Sequence, residues 1–323
     1  MFLAVALSVL MTYISLGLFM PLRSKASVEI YIPRGATFKQ AIAILSQRWH
    51  MRSFTALHLI GRIKGIDKRL KQGYYMLDDA ITPLEVLRKF SAGDTIKTKV
   101  TIIPGYSLRE IRSVMTDAGF VDFDEICSDH TLLRQLQIDA LSLEGYILPE
   151  TYIMEKGTPT REVVGMMVRL QRARYPRDFA TKAKDLGLDE HQVLTLASII
   201  EKEAQLDSER PMISAVYHNR LGLGMPLQAD PTAIYGLKSF KEGVSAPDLR
   251  INSPYNTYKI VGLPPGPIAS ASIASIGAAL NPARLPYLYF VAKRDGSHHF
   301  STTYRQHREA ISRYQRPRNV LEQ

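Results

Sequence analysis

Two glutamates end a long, mostly apolar run near the middle of this chain. Glu201 and Glu203 follow residues 193–200, and Lys202 separates them. A carboxyl group held against apolar neighbours has a raised pKa, because burial disfavours its charged form. Such a group keeps a proton near neutral pH and can donate it to the leaving oxygen of a glycosidic bond. The spacing therefore makes this segment a candidate for acid catalysis on a glycan.

The residues around these glutamates have helical spacing. Asp189 and Gln192 form a capping-box pattern ahead of the run, and the apolar residues recur with the period of an α-helix. On this helix Glu203 lies just inside the edge of the apolar stripe, whereas Glu201 lies further round and Lys202 faces away. We therefore expect Glu203 to be the desolvated acid. The alternative is that both glutamates are ordinary exposed residues of an amphipathic helix.

Residues 1–22 contain no charged side chain. As an α-helix they would span roughly 33 Å, which is enough for a hydrocarbon core of about 30 Å. We therefore expect a transmembrane helix over residues 1–22. A cleaved signal peptide is the alternative, because residues 24–26 resemble a cleavage site, but the apolar run is long and Arg23 and Lys25 follow it directly. Positive charge after the span would by itself keep the following domain in the cytoplasm, although this rule is weak for a long domain.

The composition narrows the classes of function. The 323 residues carry a net charge of +10, which favours contact with an anionic membrane face or wall polymer. Lysines and arginines are spread along the chain and not clustered with aromatic residues, so we expect no nucleic-acid partner. The single cysteine, Cys127, excludes an internal disulfide and a cysteine metal cluster. His298 and His299 would point to opposite faces of a strand and could not share a metal, and we expect no metal or organic cofactor.

Strand, turn and helix signals divide the rest of the chain into two parts. Residues 27–95 are predicted to form a strand, two helices and a strand, followed by a helix that begins at Pro83. Capping-box pairs indicate helices after Thr37 and Ser107. Small modules of this order often bind extended polymers, and a purely structural spacer is an equal alternative. Residues 96–323 form the second part, so the fold class is α+β with the candidate glutamate on a helix.

A long irregular stretch follows the glutamate helix. Residues 223–270 are rich in Pro, Gly, Asn and Tyr and show little periodicity, which is typical of a functional segment in a compact domain. Amide, hydroxyl and phenol side chains in and near it are suited to bind a sugar. For any one of them the alternative is a turn hydrogen bond to the backbone, as for Asp230 and Asn256. Further on, residues 287–301 predict a β-hairpin that turns at residues 295–296.

Several long motifs occur in a fixed order along the chain. They are Glu144-Gly145-Tyr146 with Pro149-Glu150-Thr151-Tyr152, then the run from Leu196 to Glu203, Asn219-Arg220-Leu221, the run from Met225 to Thr232, Tyr255-Asn256-Thr257-Tyr258, and the run from Gly262 to Ile268. Together they resemble the endolytic murein transglycosylases, also called the MltG or YceG-like family. The resemblance covers nearly the whole chain, including the expected anchor and the 27–95 module, which is LysM-like in this family.

The resemblance implies a single-pass anchor in the bacterial inner membrane, a LysM-like module over residues 27–95 and a catalytic domain over residues 96–323 in the periplasm. It also implies cleavage within nascent glycan strands by the second glutamate of the Glu-Lys-Glu triplet, Glu203, with termination of strand elongation as a candidate role. Peptidoglycan strands and the inner membrane are the implied partners, and peptidoglycan synthases are candidate partners. The expected substrate-binding residues are Glu144, Asn219, Gln228, Asp230, Thr232, Tyr255 and Asn256.

Three mechanisms of action remain open. A lytic transglycosylase needs one carboxyl group, Glu203, which would protonate the GlcNAc leaving oxygen, then accept the proton of the MurNAc 6-hydroxyl and leave a 1,6-anhydro end. A muramidase that uses water would need a second carboxylate across the cleft, for which Asp230 and Glu209 are available. A non-catalytic wall-binding scaffold would rely on the module at residues 27–95.

Overall fold

The computed structural model describes residues 5, 8, 9, 12, 15, 19–23, 26–47 and 54–315. Most of the transmembrane helix expected over residues 1–22 lies outside these residues. Within them, no helix is both long and apolar enough to cross a membrane.

Two compact units make up the structure. They are drawn from Met1–Lys99 with Ile153–Pro159, and from Val100–Tyr152 with Thr160–Gln323. The predicted boundary lies between residues 95 and 96. Nothing in the sequence indicated that a later segment returns to the first unit.

The first unit contains the predicted order of strand, helix, helix and strand, followed by the helix at Pro83. Strands β2 and β3 pair antiparallel with Val28 opposite Leu77, and β1 pairs antiparallel with β4. The predicted capping box of Thr37 and Gln40 starts α1, and Thr82 with Glu85 starts α3 in the same way. The elements are β1 Leu22–Arg23, β2 Val28–Ile32, α1 Phe38–Ser46, α2 Phe54–Ile63, β3 Gly73–Leu77, β4 Ala80–Ile81 and α3 Pro83–Ala92, with a 3-10 turn at Ile66–Lys68.

The apolar faces of these elements meet in one core. Ile30 and Ile32 of β2 alternate with more exposed residues, as expected for a strand with one buried face. They pack in a cluster with Tyr75 and Leu77 of β3 and with Phe90 of α3. The periodicity of the sequence therefore accounts for the packing of this unit.

The second unit is mainly helical and carries one hairpin. Strands β5 and β6 pair with each other, and the chain passes from one unit to the other along both. The remaining elements give a mixed α+β fold. The elements are β5 Lys97–Thr101, α4 Leu108–Asp117, α5 Phe123–Cys127, α6 His130–Gln135, β6 Thr151–Glu155, α7 Thr160–Ala173, α8 Phe179–Asp185, α9 Glu190–Glu203, α10 Arg210–Gly222, α11 Asp230–Ile234, α12 Ile273–Leu280, β7 Tyr289–Ala292, β8 His298–Ser301 and α13 Tyr304–Tyr314, with 3-10 turns at Asp207–Glu209, Phe240–Glu242 and Asp248–Arg250.

Helix α9 lies at the centre of this unit. It packs against α8, α10, α11 and α12, and every residue from Val193 to Ile200 is buried. The predicted capping box of Asp189 and Gln192 starts it, and the backbone leaves the helical conformation at Ala204. A helix that is buried all round is not amphipathic, so the glutamates at its end are not ordinary exposed residues.

Two predicted helix starts are displaced in the structure. The small residues from Ala269 to Leu280 predict a helix, which begins only at Ile273 because Ser270 exchanges backbone hydrogen bonds with residues 105 and 106 and Ser272 supplies the cap. Residues 208–221 predict another helix, which begins at Arg210 after a 3-10 turn. The predicted hairpin is confirmed, since β7 and β8 pair antiparallel with Phe290 opposite Phe300, and α13 packs against both strands.

Candidate active site

Glu203 is the last residue of α9 and lies partly buried at the wall of a cleft. Loss of hydration raises its pKa to about 8, the negative charge of Asp230 adds to this shift, and the nearby Tyr217 hydroxyl opposes it. That hydroxyl is itself buried and makes no hydrogen bond of ordinary geometry with a described residue, so it can stabilise the carboxylate only weakly. Glu203 is therefore protonated at neutral pH, as an acid catalyst requires.

The neighbouring glutamate has a different environment. The Glu201 carboxylate accepts hydrogen bonds from the backbone nitrogen and the hydroxyl of Ser272, at 2.9 and 2.6 Å, and pairs with Arg210 at 3.2 Å. Its side chain is only 6% exposed, although the helical-wheel argument placed it further from the apolar stripe than Glu203. Because its carboxylate is paired with Arg210 and hydrogen-bonded to Ser272, Glu201 anchors the helix end.

Lys202, which was expected to face away from the helix packing, is also partly buried. Its ammonium group lies 4.0 Å from the centre of the Phe240 ring and donates to the carbonyl of Gly105 at 3.2 Å. Burial lowers the pKa of Lys202. All three residues of the triplet are therefore fixed by packing, and of the two carboxyl groups it is Glu203 that lines this cleft.

The cleft in front of Glu203 has a volume of about 300 Å3. It is built by the ends of α9 and α10, the start of α11, the β7–β8 hairpin and α13, so segments far apart in sequence meet there. Polar groups share its walls with apolar ones. The lining residues are Glu203, Arg220, Leu227, Gln228, Asp230, Tyr258, Phe290, Val291, Ala292, His298, His307, Ile311 and Gln315.

Gln228 is held in the cleft by Arg220. The guanidinium group donates to the Gln228 side-chain oxygen at 3.2 Å and to the carbonyl groups of Leu227 and Leu288, at 2.8 and 2.7 Å. Gln228 has a φ of 50°, a left-handed conformation that is uncommon for residues other than glycine. With its oxygen engaged, the Gln228 amide nitrogen remains available to donate to a bound sugar.

Asp230 faces the same cleft at the start of α11. Tyr258 donates its hydroxyl to one carboxylate oxygen of Asp230 at 2.6 Å, which leaves the other oxygen as an acceptor. Tyr258 was part of a motif in the sequence but was not singled out as a binding residue. The structure thus brings together Glu203, Gln228 and Asp230 among the predicted residues, with Tyr258 added.

Two other predicted residues are fully buried, and their hydrogen bonds stabilise the irregular stretch at residues 223–270. Thr232 donates its hydroxyl to the carbonyl of Ala229 at 2.6 Å and lies 2.8 Å from the hydroxyl of Thr257. Asn256 donates to the carbonyl of Ile251 at 2.8 Å, and its oxygen accepts the backbone N–H of Tyr258 at 3.0 Å. The turn interpretation considered for Asn256 is therefore the observed one, and neither side chain reaches the cleft surface.

Asn219 and Tyr255 also lie away from the lining of this cleft. The Asn219 amide donates to the carbonyl groups of Leu285 and Tyr287, both at 2.8 Å, and so ties α10 to the segment that leads into β7. The Tyr255 ring packs at 4.6 Å from that of Tyr235. Asn219 therefore positions the hairpin that closes the cleft.

Glu144 lines a second cleft, of about 850 Å3, that does not include Glu203. Its carboxyl accepts the backbone N–H of Leu108 at 3.0 Å and the Tyr235 hydroxyl at 2.8 Å. Burial raises the pKa of Glu144 to about 7, and these hydrogen bonds oppose the rise. Two partly protonated carboxyl groups thus occur in this unit, one in each cleft.

Sequence reasoning missed a buried pair of which one residue lines the Glu203 cleft. His298 lines the cleft, and its ring hydrogen-bonds to the Glu209 carboxylate at 2.7 Å. The two residues are 89 positions apart, and no local pattern connects them. From the sequence, Glu209 was considered only as a second carboxylate for hydrolysis. In the structure its carboxylate is hydrogen-bonded to His298 instead.

Metal ligation was also considered at the level of sequence. Among the residues that the structure describes, no group of three or more His, Cys, Asp or Glu side chains is placed to hold a metal ion.

A known protein family matches most of the chain. The model of the YceG-like family matches residues 30–313. The chain belongs to the YceG-like family. Its resemblance to that family, inferred from the motifs, is therefore confirmed, and the match spans residues of both units.

Relatives in the family carry a common name. An endolytic murein transglycosylase of Bacillus subtilis is 33% identical over 310 residues, covering 90% of this chain and 86% of the relative. Proteins of the same name from two strains of Streptococcus pneumoniae are 28% identical over 305 residues, covering 83% of this chain and 55% of the relatives. The crystal structure of a YceG-like protein from Listeria monocytogenes superposes with a TM-score of 0.60 at 29% identity, covering 88% of this chain and 99% of that one.

Proposed function

We propose that this YceG-like protein is an endolytic murein transglycosylase whose acid catalyst is Glu203. The observation that carries the proposal is a carboxyl group with a pKa of about 8 in a cleft that also offers an amide and a carboxylate. The relatives named endolytic murein transglycosylase support the same activity. Peptidoglycan glycan strands are the substrate.

The bond cleaved is the β-1,4 bond between MurNAc and GlcNAc within a strand. Protonated Glu203 donates to the GlcNAc O4 as its bond to C1 of MurNAc breaks, and the 2-acetamido group of MurNAc stabilises the developing positive charge. The resulting Glu203 carboxylate accepts the proton of the MurNAc 6-hydroxyl as O6 bonds to C1. The acid is thereby regenerated, and the strand ends in a 1,6-anhydro sugar.

Gln228 and Asp230 are the substrate-binding residues best supported by geometry. The amide nitrogen of Gln228 and the free oxygen of Asp230 supply a donor and an acceptor at the cleft. Tyr258 joins them through its hydrogen bond to Asp230. Glu144 and Tyr255 would contact the glycan only where the strand extends beyond this cleft, and their role stays a prediction.

Hydrolysis is the second candidate function, because Asp230 lines the same cleft as Glu203. A carboxylate opposite the acid could activate water and give a reducing end. Its proximity to Glu203 also raises the pKa of the acid, which both mechanisms require. The chemical nature of the new strand end therefore distinguishes the two functions.

The remaining expectations from the resemblance are part of this proposal. Residues 1–22 anchor the protein in the inner membrane, residues 27–95 form a LysM-like module and residues 96–323 act in the periplasm. The strand-helix-helix-strand order of the first unit supports the module assignment. Cutting nascent strands near peptidoglycan synthases would end their elongation.

The test uses full-length protein with purified glycan strands and mass spectrometry of the new ends. Wild type should give 1,6-anhydro ends, and E203Q should lose activity by about 100-fold or more. D230N should keep the anhydro product. Reducing ends from wild type would convert the assignment to a hydrolase, and binding without cleavage would favour a wall-binding scaffold.

A further inference from the structure

His298 is held at both its backbone and its ring by one buried carboxylate. Glu209 accepts the backbone N–H of His298 at 2.8 Å through one oxygen, and the ring Nδ1 lies 2.7 Å from the other. Both side chains are less than 8% exposed. Because a carboxylate only accepts hydrogen bonds, Nδ1 carries the proton of this hydrogen bond, and Nε2 is left as the acceptor of the imidazole tautomer.

Packing restricts the ring further. The Phe290 ring meets the His298 ring edge to face at 5.3 Å, and Phe290 in turn packs edge to face on Tyr217 at 6.0 Å. His298 Nε2 makes no hydrogen bond with any described residue, while the side chain lines the Glu203 cleft. The cleft therefore contains a fixed, unused acceptor whose orientation is set from outside the cleft by Glu209.

The other polar groups of the cleft have different hydrogen-bonding roles. Arg220 donates to protein oxygens, protonated Glu203 supplies a donor, and Gln228 supplies its amide nitrogen as a donor while its oxygen accepts from Arg220. Asp230 has a free oxygen, but it is an exposed residue. His298 is an acceptor on the buried part of the wall, beside Phe290. His307 lines the same cleft, and its buried Nδ1 also makes no hydrogen bond with a described residue, but no carboxylate of a described residue fixes its ring as Glu209 fixes that of His298.

The proposed transglycosylation requires a group that positions the MurNAc 6-hydroxyl, and this acceptor can do so. The 6-hydroxyl of MurNAc must be directed at C1 before Glu203 has given up its proton, when the acid cannot yet act as a base. A water molecule that reached C1 first would give a reducing end instead. A rigid acceptor in the wall of the cleft can hold the hydroxyl in place at that stage.

We propose that His298 accepts the hydrogen bond of the MurNAc 6-hydroxyl and so directs this hydroxyl, in preference to water, to C1. The inference rests on the proposed transglycosylase function. The C1–O4 bond breaks as Glu203 gives its proton to O4. The 6-hydroxyl then turns its O–H from His298 to the Glu203 carboxylate formed in that step, and the C1–O6 bond forms as this proton passes to Glu203. His298 ends the cycle in its starting protonation state, and Glu209 is a positioning residue that acts through it.

The experiment compares full-length wild type with H298Q, E209Q and H299Q on purified glycan strands. It measures the initial rate and the ratio of anhydro to reducing ends by mass spectrometry. H298Q should slow anhydro-end formation about 100-fold and raise the share of reducing ends. E209Q should shift the ratio in the same direction with a rate loss of about tenfold. H299Q is the matched control, because His299 is the neighbouring histidine outside this cleft, and it should change neither quantity.

A purely structural role for His298 would lower the rate without changing the ratio of ends, and that result would overturn the inference. Melting curves of every variant identify loss of folding. Should H298Q fail to fold, E209Q carries the test, since it keeps an oxygen for the backbone N–H of His298. The double variant H298Q/E209Q should be no slower than H298Q, because Glu209 acts through the ring.

The same assay separates the inference from the proposed function. Anhydro ends from wild type, with an unchanged ratio in H298Q and E209Q, would refute only the role of His298. Reducing ends alone from wild type would refute both the anhydro mechanism and this inference. A rise in reducing ends in both variants, with H299Q unchanged, would support the two together.

Discussion

Glu201 and Arg210 form a buried ion pair at the point where the central helix ends. Their charged groups are 3.2 Å apart, and the two side chains are 6% and 11% exposed. The same carboxylate caps α12 through Ser272. The pair therefore fixes the last turn of α9 against two other helices, and Glu203 is presented to the cleft from a rigid support.

Replacing Glu201 with alanine should destabilise the protein by about 3 kcal/mol, because the buried Arg210 would lose its buried partner and keep only the exposed Asp207 as a carboxylate partner. Urea unfolding monitored by circular dichroism measures this change. The exposed Glu162, changed to glutamine, is the control and should alter the free energy of unfolding by less than about 0.5 kcal/mol. A similar decrease in the free energy of unfolding of both variants would show that the buried ion pair contributes no more to stability than an exposed glutamate.

The stability of the wild type should fall as the pH rises from about 5 to about 9. The folded-state pKa of Glu203 is about 8, above the ordinary value of 4.5, so the folded state binds more protons than the unfolded state across this window. E203Q removes the part of this dependence that comes from Glu203, while the part from the raised pKa of Glu144 remains. E203Q should therefore be more stable than wild type by about 2 kcal/mol at pH 9, allowing for the solvent contact that the Glu203 carboxyl retains. Thermal melts at pH 5, 7 and 9 measure the difference.

At pH 5 both proteins carry a neutral group at this position, and their melting temperatures should be close. Parallel melting temperatures for wild type and E203Q across the whole range would contradict a raised pKa at Glu203. Because melting needs no substrate, this result is independent of the assigned activity.

The cleavage rate should decrease as the pH rises through about 8, since Glu203 then loses the proton it must donate. Asp230 contributes to the raised pKa through its negative charge, so D230N should move this decline to lower pH. Rates measured from pH 5 to 10 for both proteins give the two midpoints. A decline at the same pH in D230N would mean that another group controls it.

Substitutions of Gln228 can separate the effect of its backbone conformation on stability from the effect of its amide group on cleavage. Its φ of 50° favours glycine, so Q228G should keep the stability of wild type while Q228A should lose about 1 kcal/mol relative to Q228G. Both variants lack the amide and should cleave glycan more slowly to a similar extent. Urea unfolding and initial rates measure the two effects, and equal stability of the two variants would argue against backbone strain at this position.

Local signals predicted the elements that position the site. The capping boxes at Thr37, Ser107 and Asp189 occur where expected, because they depend on residues three positions apart. The strand order of the first unit and the hairpin follow from periodicity and turn residues in the same way. Interactions between residues close in sequence therefore allowed much of the secondary structure to be predicted.

The environment of the glutamates could not be predicted in this way. The helical-wheel argument assumed one buried face, but α9 is enclosed by other helices all round, and the Glu201 side chain is only 6% exposed. What distinguishes them is the pairing of Glu201 with Arg210 and Ser272, the latter 71 positions away. Likewise, the burial of Thr232 and Asn256 depends on how the irregular stretch folds back on itself, which sequence spacing does not reveal.

Helix α13 supplies His307 and Ile311 to the wall of the Glu203 cleft. A chain folds from its N-terminus as it is synthesised, so α9 is made well before the segment that covers its end. Until α13 packs against the hairpin, that side of the cleft is open to water and the Glu203 carboxyl is better hydrated, which favours its ionised form. In a partly synthesised or C-terminally shortened chain, Glu203 would thus be ionised and unable to donate a proton. The capacity to cleave a wall polymer would arise only once α13 has been made and has packed.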